Sequence, residues 1–138
     1  MRTQSVALVT GASTGIGAVY AGRLARRGYG LVLVARDAQR LSSLADTLRA
    51  ETGVPVEIIP VDLTLPEGLA VVEARIDQGD IGLLVNNAGM SLKGGMLENE
   101  STALDKIIAL NVTAPTRLCA AAARVFLRRG EGAIINLS

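Results

Sequence analysis

Five short apolar runs alternate with stretches of helical periodicity, and this alternation restricts the fold more than any other feature. The runs predict strands at Val6–Val9, Leu31–Ala35, Val56–Val61, Ile81–Val85 and Ala133–Leu137. Strands that alternate with helices form parallel sheets, because each helix returns the chain to the same end of the sheet. An apolar content of 49% fits strands that are covered on both faces. We therefore expect one three-layer α/β/α domain.

Helical periodicity, with apolar residues three or four positions apart, fills the intervals between these runs. The first helix runs from Gly15 and is closed by basic residues and Gly28. The others are predicted at Asp37–Ala50, at Pro66–Ile76 with a start near Thr64, and over a long stretch from Ser101 to Arg129.

Composition excludes several classes of function. The 14 basic and 13 acidic residues give a net charge of +1, so the sequence predicts neither a nucleic-acid partner nor a membrane surface. The chain has no histidine and a single cysteine, Cys119, which we expect in the core. We expect no metal site. No apolar run reaches the roughly 18 residues of a membrane span, and no signal peptide is recognisable, so we expect a cytoplasmic protein.

A glycine-rich turn joins the first predicted strand to the first predicted helix. Its glycines are Gly11, Gly15 and Gly17. Glycine permits a tight turn and lets the backbone approach a phosphate closely, and the free amides of a helix start attract anions. The alternative is an ordinary β–α turn, but the position directly after the first strand favours a dinucleotide site.

Asn111 lies within the long helical stretch, four residues before Pro115. Proline lacks the N–H group that would bond the carbonyl four residues earlier, and its ring crowds that carbonyl. The sequence therefore predicts a kink that frees the Asn111 carbonyl. The alternative is a helix that merely bends around the sheet.

Three segments together resemble the short-chain dehydrogenase/reductase family: Thr10–Gly17, Asn86–Gly89 and Asn111. The resemblance extends over essentially the whole chain. It implies that the turn binds the cofactor pyrophosphate, and that the Asn-Asn-Ala-Gly segment ends the fourth strand and lines the adenosine side. It also implies that the Asn111 carbonyl holds a water of the proton relay. The implied cofactor-binding residues of the first two segments are Gly11, Ser13, Thr14, Gly15, Ile16, Gly17, Asn87, Ala88 and Gly89.

Arg36, at the end of the second predicted strand, bears on which dinucleotide binds. A guanidinium here can hold a 2′-phosphate, whereas an acidic residue would accept from the ribose 2′-hydroxyl of NAD. The resemblance thus implies a preference for NADP, with NAD as the alternative. A second basic residue, often found just before the second glycine of NADP-preferring members, is replaced here by Thr14. Asp37 is expected to cap the next helix, and Arg36 could also be a solvated surface residue.

Asp62 and Leu63 follow the third predicted strand. The resemblance implies that the Asp62 side chain and the Leu63 backbone contact the adenine ring. The alternative is that Asp62 only caps the following turn, and both roles are compatible.

The catalytic acid/base residues that the resemblance implies are missing from the sequence. The family uses a serine after the fifth strand and a later Tyr-x-x-x-Lys, but the only tyrosines are Tyr20 and Tyr29, and neither has a lysine four residues later. Ser138 matches the first of two serines, of which the second is catalytic. We expect residues 1–138 to be an NAD(P)-binding Rossmann domain, incomplete at its C-terminal side and inactive alone.

We expect five parallel strands in the order 3-2-1-4-5, with the fifth strand as an unprotected edge. The function implied is that of an NADP-preferring short-chain oxidoreductase that moves hydride between nicotinamide and a carbonyl or alcohol carbon of a small molecule. This chain would supply the cofactor-binding half, and the complete enzyme would be a homo-oligomer. The alternatives are a non-catalytic dinucleotide-binding module and a partner-dependent subunit.

Overall fold

The computed structural model describes residues 5–137, so Ser138, matched above to a family serine, lies outside the described residues. Five strands and five helices follow one another in this part of the chain: β1 Val6–Thr10, α1 Gly15–Arg26, β2 Gly30–Ala35, α2 Ala38–Thr52, β3 Val56–Pro60, α3 Pro66–Asp77, β4 Ile81–Asn86, α4 Ser101–Ile108, α5 Ala114–Arg129 and β5 Ala133–Asn136. One turn of 3₁₀ helix, Met96–Glu98, precedes α4, and a π-helical segment, Ala109–Thr113, joins α4 to α5.

All five strands are parallel and lie in the order β3-β2-β1-β4-β5. This confirms the predicted fold class. The strand order reverses between β2 and β4, on either side of β1. Since ligands of such sheets bind at the carboxyl ends of the strands near this reversal, the turn after β1 lies where a ligand is expected.

Alternate residues of the central strands bury against opposite helical layers. Leu8 and Leu84 share one core with Val72 of α3 and Leu118 of α5. On the other face, Val9 and its neighbours in β2 and β4 pack against α1 and α2. The strands can be continuously apolar because both faces are covered, as the sequence pattern predicted.

Most predicted boundaries agree with the structure within two residues. The start of α3 is two residues later than predicted, at Pro66 rather than near Thr64. Proline is well suited to the first helical position, because an N–H group at that position would have no acceptor within the helix. The predicted cap of α2 is confirmed, since Asp37 Oδ1 accepts a hydrogen bond of 3.0 Å from the Arg40 backbone amide.

The long helical stretch is interrupted where the Asn111–Pro115 spacing predicted a kink. In the π-helical segment the N–H group of Ala114 donates to the carbonyl of Ala109, five residues earlier. Pro115 has no N–H group for the Asn111 carbonyl. A π segment at this point is a local widening of the helix, a feature that is frequent at functional sites.

Cys119 does not have the core environment that the sequence predicted. Its side chain is only partly buried. Its thiol lies 3.1 Å from Asn86 Nδ2 and 3.5 Å from Asn136 Oδ1. The two asparagines are paired neighbours at the ends of β4 and β5, with 2.9 Å between Asn86 Nδ2 and Asn136 Oδ1. Cys119 therefore joins a small polar cluster between α5 and the sheet.

β5 lies at the edge of the sheet, as predicted, and its Ile134 and Ile135 are only partly buried. Among residues 5–137, no helix is long and apolar enough to cross a membrane.

Candidate functional site

Thr10 joins the glycine turn to the segment that follows β4. Its buried hydroxyl accepts hydrogen bonds of 3.0 Å from the backbone amides of both Asn87 and Ala88. In the opposite direction, the side-chain amide of Asn87 donates a hydrogen bond of 3.1 Å to the Gly11 carbonyl. Two of the three segments that carry the family resemblance are therefore one hydrogen-bonded unit, although they are far apart in the sequence.

Two of the three glycines in the turn are required by close packing. A Cβ atom on Gly11 would lie 2.9 Å from the Ala88 Cα, and its φ of +62° is unfavourable for other residues. A Cβ atom on Gly17 would overlap the Gly11 carbonyl oxygen and the Asn87 amide. Gly15 differs, because its φ is +57° but no atom lies within 4 Å of the position that a Cβ atom would occupy.

The turn forms one side of an open cleft of about 630 Å³ at the carboxyl ends of the strands. Eight predicted site residues line it: Gly11, Ser13, Thr14, Arg36, Asp62, Leu63, Ala88 and Gly89. The others are not in its lining. Gly17 and Asn87 pack behind the turn, Gly15 and Ile16 lie exposed at the start of α1, and Asn111 lies behind the segment that carries Gly89.

The start of α1 has no side-chain cap. Thr14 is in the N-cap position with an extended backbone, but its side chain makes no capping hydrogen bond. The amides of a first helical turn carry partial positive charge, and the absence of a capping side chain leaves this end of the helix open to a bound anion.

Charged groups line the cleft at the ends of β2 and β3. Burial favours a raised pKa for Asp62, but the hydrogen bonds from Thr64 and the charges of Arg36 and Lys106 outweigh it and lower the pKa below its usual value. Asp62 is therefore a carboxylate at neutral pH, in a positively charged setting.

Asp62 also caps the turn before α3, a role that is compatible with contact to a ligand. Its Oδ1 accepts from the Thr64 amide at 2.9 Å and from the Thr64 hydroxyl at 2.7 Å. The Leu65 amide donates to the Asp62 carbonyl at 3.2 Å. A Cβ atom on Gly68 would overlap the same carbonyl oxygen, so α3 packs directly on this turn. These contacts hold the Asp62 carboxylate at the cleft.

The Asn111 side chain holds the segment after the Asn-Asn-Ala-Gly motif. Its Oδ1 accepts from the Met90 amide at 2.9 Å and its Nδ2 donates to the Met90 carbonyl at 2.8 Å. This pair of bonds fixes the π-helical segment against the edge of the cleft. The local sequence around Asn111 predicted the helix interruption but gave no sign of this partner.

Sequence reasoning missed two basic residues that line the cleft, Arg40 and Lys106. Arg40 lies in the first turn of α2, four residues after Arg36, and its Nε lies 3.5 Å from Asp37 Oδ2. Lys106 lies on α4, four residues before Leu110, which also lines the cleft. The helical spacing places Lys106 and Leu110 on one face, but the sequence gave no sign that this face meets the cleft.

Comparison with known proteins identifies one family to which this sequence is similar. The family model for short chain dehydrogenases matches residues 5–138. A very-long-chain 3-oxoacyl-CoA reductase-like protein of Arabidopsis thaliana is 35% identical, over 99% of this chain and 45% of that protein. The 17-beta-hydroxysteroid dehydrogenase type 3 of Homo sapiens is 31% identical, over 96% of this chain and 43% of the human protein. The chain spans about half the length of the curated relatives it matches.

Solved structures agree with the sequence relatives. The bulky-bulky ketone specific alcohol dehydrogenase of Comamonas testosteroni has a TM-score of 0.95 at 48% identity, over 98% of this chain and 55% of that chain. A short-chain dehydrogenase of Sphingobium yanoikuyae, solved in complex with NADPH, has a TM-score of 0.94 at 53% identity, over 96% of this chain and 52% of that chain. With the family model matching nearly its whole length, this chain belongs to the short-chain dehydrogenase/reductase family of oxidoreductases.

Proposed function

We propose that the cleft binds NADP(H), and that this chain forms the cofactor-binding half of an enzyme that interconverts a carbonyl and an alcohol. Arg36 at the end of β2, lining the same cleft as the glycine turn, is the observation that carries the proposal. When bound, the nicotinamide supplies the hydride donor or acceptor. Support also comes from the Sphingobium yanoikuyae enzyme and from an L-sorbose reductase of Gluconobacter frateurii, both solved with NADPH.

The glycine turn fits a pyrophosphate. The uncapped start of α1 offers backbone amides at Gly15, Ile16 and Gly17, and the Ser13 and Thr14 side chains lie beside it. Gly15 has no atom near the place of a Cβ, which leaves room for a ligand to approach the backbone. We assign the pyrophosphate to this position.

Arg36 and Arg40 fit the 2′-phosphate that distinguishes NADP from NAD. Both are exposed and both line the cleft. Arg40 therefore supplies a second basic group beside Arg36, in place of the one that is missing at Thr14. Asp37, the nearest carboxylate along the chain, is turned towards α2 by its contacts with Arg40. We therefore propose that Asp37 does not serve as acceptor for the 2′-hydroxyl of NAD, and that NADP is preferred.

The remaining predicted residues are assigned to the adenosine half and to proton transfer. Asp62 and Leu63 would contact adenine, while Ala88 and Gly89 would form the adenosine side of the cleft, supported by Asn87, which bonds the Gly11 carbonyl behind them. Asn111 would hold a relay water at its backbone carbonyl, which Pro115 leaves without its helical donor. The serine and the Tyr-x-x-x-Lys pair required for proton transfer are not found in residues 1–138, so we propose that these residues alone have no activity.

Exposed apolar side chains on the long helical stretch suit an association surface. Ile108 is 53% exposed and Val112 is 56% exposed. We propose that the complete enzyme is a homo-oligomer and that residues 1–138 belong to its dinucleotide-binding domain.

Turnover by the full-length protein tests the proposed function. NADPH oxidation should be measured with a panel of ketones, and NADP reduction with the matching alcohols. We expect turnover with at least one pair. Tight NADPH binding without turnover of any substrate would instead favour the non-catalytic binding module, whereas turnover that appears only with a second protein would favour a partner-dependent subunit.

A further inference from the structure

The end of the cleft between β3 and α4 has apolar walls on both sides. Val61 and Leu63 line it from the β3 side, and Leu110 lines it from the π-helical segment. Leu63 is itself buried in the core, and with Leu110 it borders a separate void of only about 10 Å³, so Val61 and Leu110 are the side chains that face the open cleft. A space between apolar walls favours a flat ring, which buries its faces and leaves its polar edge to be recognised by other groups.

Two opposite charges, Asp62 and Lys106, also line this part of the cleft. Asp62 Oδ1 is occupied by its two bonds from Thr64, whereas Oδ2 has no hydrogen bond with protein within residues 5–137. In the same part of the chain the Lys106 ammonium has neither a hydrogen bond nor a carboxylate within 4.0 Å. One free acceptor and one free donor therefore face the same cleft.

We propose that Lys106 is an adenine-binding residue and that, with Asp62, it reads the hydrogen-bonding edge of the base. This rests on the proposed function, since it places the adenine of NADP(H) between Val61 and Leu110, beside the backbone of the buried Leu63. Asp62 Oδ2 accepts from the exocyclic amino group of adenine. The Lys106 ammonium donates to the adjacent ring nitrogen N1, which is an acceptor. Each protein group thus meets the complementary group on the base.

This arrangement selects adenine over hypoxanthine. In hypoxanthine the amino group is replaced by a carbonyl oxygen and N1 carries a hydrogen, so the polarity of the edge is reversed. Asp62 then faces an oxygen and Lys106 faces an N–H group. Most of the difference in binding free energy between the two bases comes from polar groups that are left unpaired in a partly desolvated site. Arg36 and Arg40 bind the 2′-phosphate in either case and do not contribute to it.

The test compares dissociation constants of the full-length protein for NADPH and for its deamino analogue, reduced nicotinamide hypoxanthine dinucleotide phosphate, by the fluorescence of the reduced nicotinamide. We expect the wild-type protein to bind NADPH at least about 10-fold more tightly, the effect of losing one or two hydrogen bonds to charged groups. Lys106→Met should weaken NADPH binding by about 10-fold and binding of the analogue by less than about 3-fold. Lys106→Arg should restore most of the NADPH affinity.

Lys93→Met is the matched control, because Lys93 is the other lysine of the chain and lies outside the cleft lining. It should bind both dinucleotides like the wild-type protein. Equal affinity of the wild-type protein for NADPH and the analogue would overturn the inference, as would full NADPH affinity in Lys106→Met. Wild-type protein that binds neither dinucleotide would overturn the proposed function as well, so the two failures are distinguishable.

Discussion

The side-chain amide of Asn111 forms two hydrogen bonds with the backbone of Met90, at 2.9 Å and 2.8 Å. One amide thereby connects the π-helical segment to the chain just beyond the Asn-Asn-Ala-Gly motif. The interruption of the helix and the position of the cleft wall are consequently coupled, and a change at Asn111 should affect both.

Replacing Asn111 with alanine should loosen the segment around Met90, because both hydrogen bonds are lost. We expect faster amide hydrogen exchange at Met90 and lower kcat in the full-length enzyme, with a loss of unfolding free energy of about 1–2 kcal/mol. Asn99→Ala is a suitable control, since the Asn99 amide also bonds backbone carbonyls, but those of Lys93 and Gly95 rather than that of Met90. Unchanged exchange at Met90 in Asn111→Ala would contradict the proposed coupling.

Replacing Thr10 with valine should destabilise the junction between the two motifs. The substitution preserves shape but leaves the partly buried amides of Asn87 and Ala88 without their acceptor. We expect a loss of about 2–4 kcal/mol in the free energy of unfolding, measured by urea denaturation, because each unsatisfied buried donor costs about 1–3 kcal/mol. Thr10→Ser keeps the hydroxyl and should recover most of this loss. Equal stability of the two variants would show that the hydroxyl contributes little.

Replacing Gly17 with alanine should abolish dinucleotide binding, because the added Cβ overlaps the Gly11 carbonyl oxygen and forces the turn away from α1. Gly22→Ala is the matched control in the same helix. Its added Cβ would lie 3.2 Å from the far end of the Arg26 side chain, which can move aside. Titration of NADPH should therefore show binding by Gly22→Ala and not by Gly17→Ala. Comparable affinities in the two variants would contradict the close packing of the turn.

The ion pair between Arg75 and Asp80 should make stability depend on acid pH. The Arg75 hydrogen bonds lower the pKa of Asp80, outweighing the opposing effect of burial. A carboxyl with a lowered pKa in the folded state stabilises the protein above its unfolded pKa, and this contribution disappears as the pH falls through the folded value.

Asp80→Asn should therefore be less stable than the wild-type protein at pH 7, by at most about 1 kcal/mol because Asp80 is half exposed. The difference should begin to decline as the pH falls below about 4, near the pKa of an unfolded aspartate, and should vanish below the lowered pKa of the folded state. Urea denaturation across this pH range measures it. A stability difference that persists unchanged at low pH would show that the ion pair is not its cause.

Much of the fold could be predicted from the sequence, because its evidence is local and periodic. Alternating apolar runs and helical stretches determined the elements, and the position of Pro115 determined where the helix is interrupted. The tertiary partners could not be predicted in this way. The contacts of Thr10 with Asn87 and of Asn111 with Met90 join distant segments, and no spacing rule connects such residues.

The candidate site was predicted where glycines or strand ends marked it, as at Gly11 and Arg36. Arg40 and Lys106 were missed because exposed basic residues on helices occur everywhere and only the folded chain shows which of them face a cleft. Cys119 was assigned to the core because its neighbours in the sequence are small and apolar. Its actual partners, Asn86 and Asn136, come from two strands that the sequence alone does not bring beside it.

The most direct test of the account compares the dissociation constants of the full-length protein for NADPH and NADH, in the wild type and in Arg36→Leu. We expect the wild-type protein to prefer NADPH by at least about 10-fold, since the 2′-phosphate gains charge-assisted hydrogen bonds from the two arginines. Arg36→Leu should remove most of this preference while leaving NADH affinity nearly unchanged. Arg124→Leu, an exposed residue outside the cleft lining, should behave like the wild type. Equal or tighter binding of NADH by the wild-type protein would contradict the proposed role of Arg36 and the assignment of NADP(H) to this cleft.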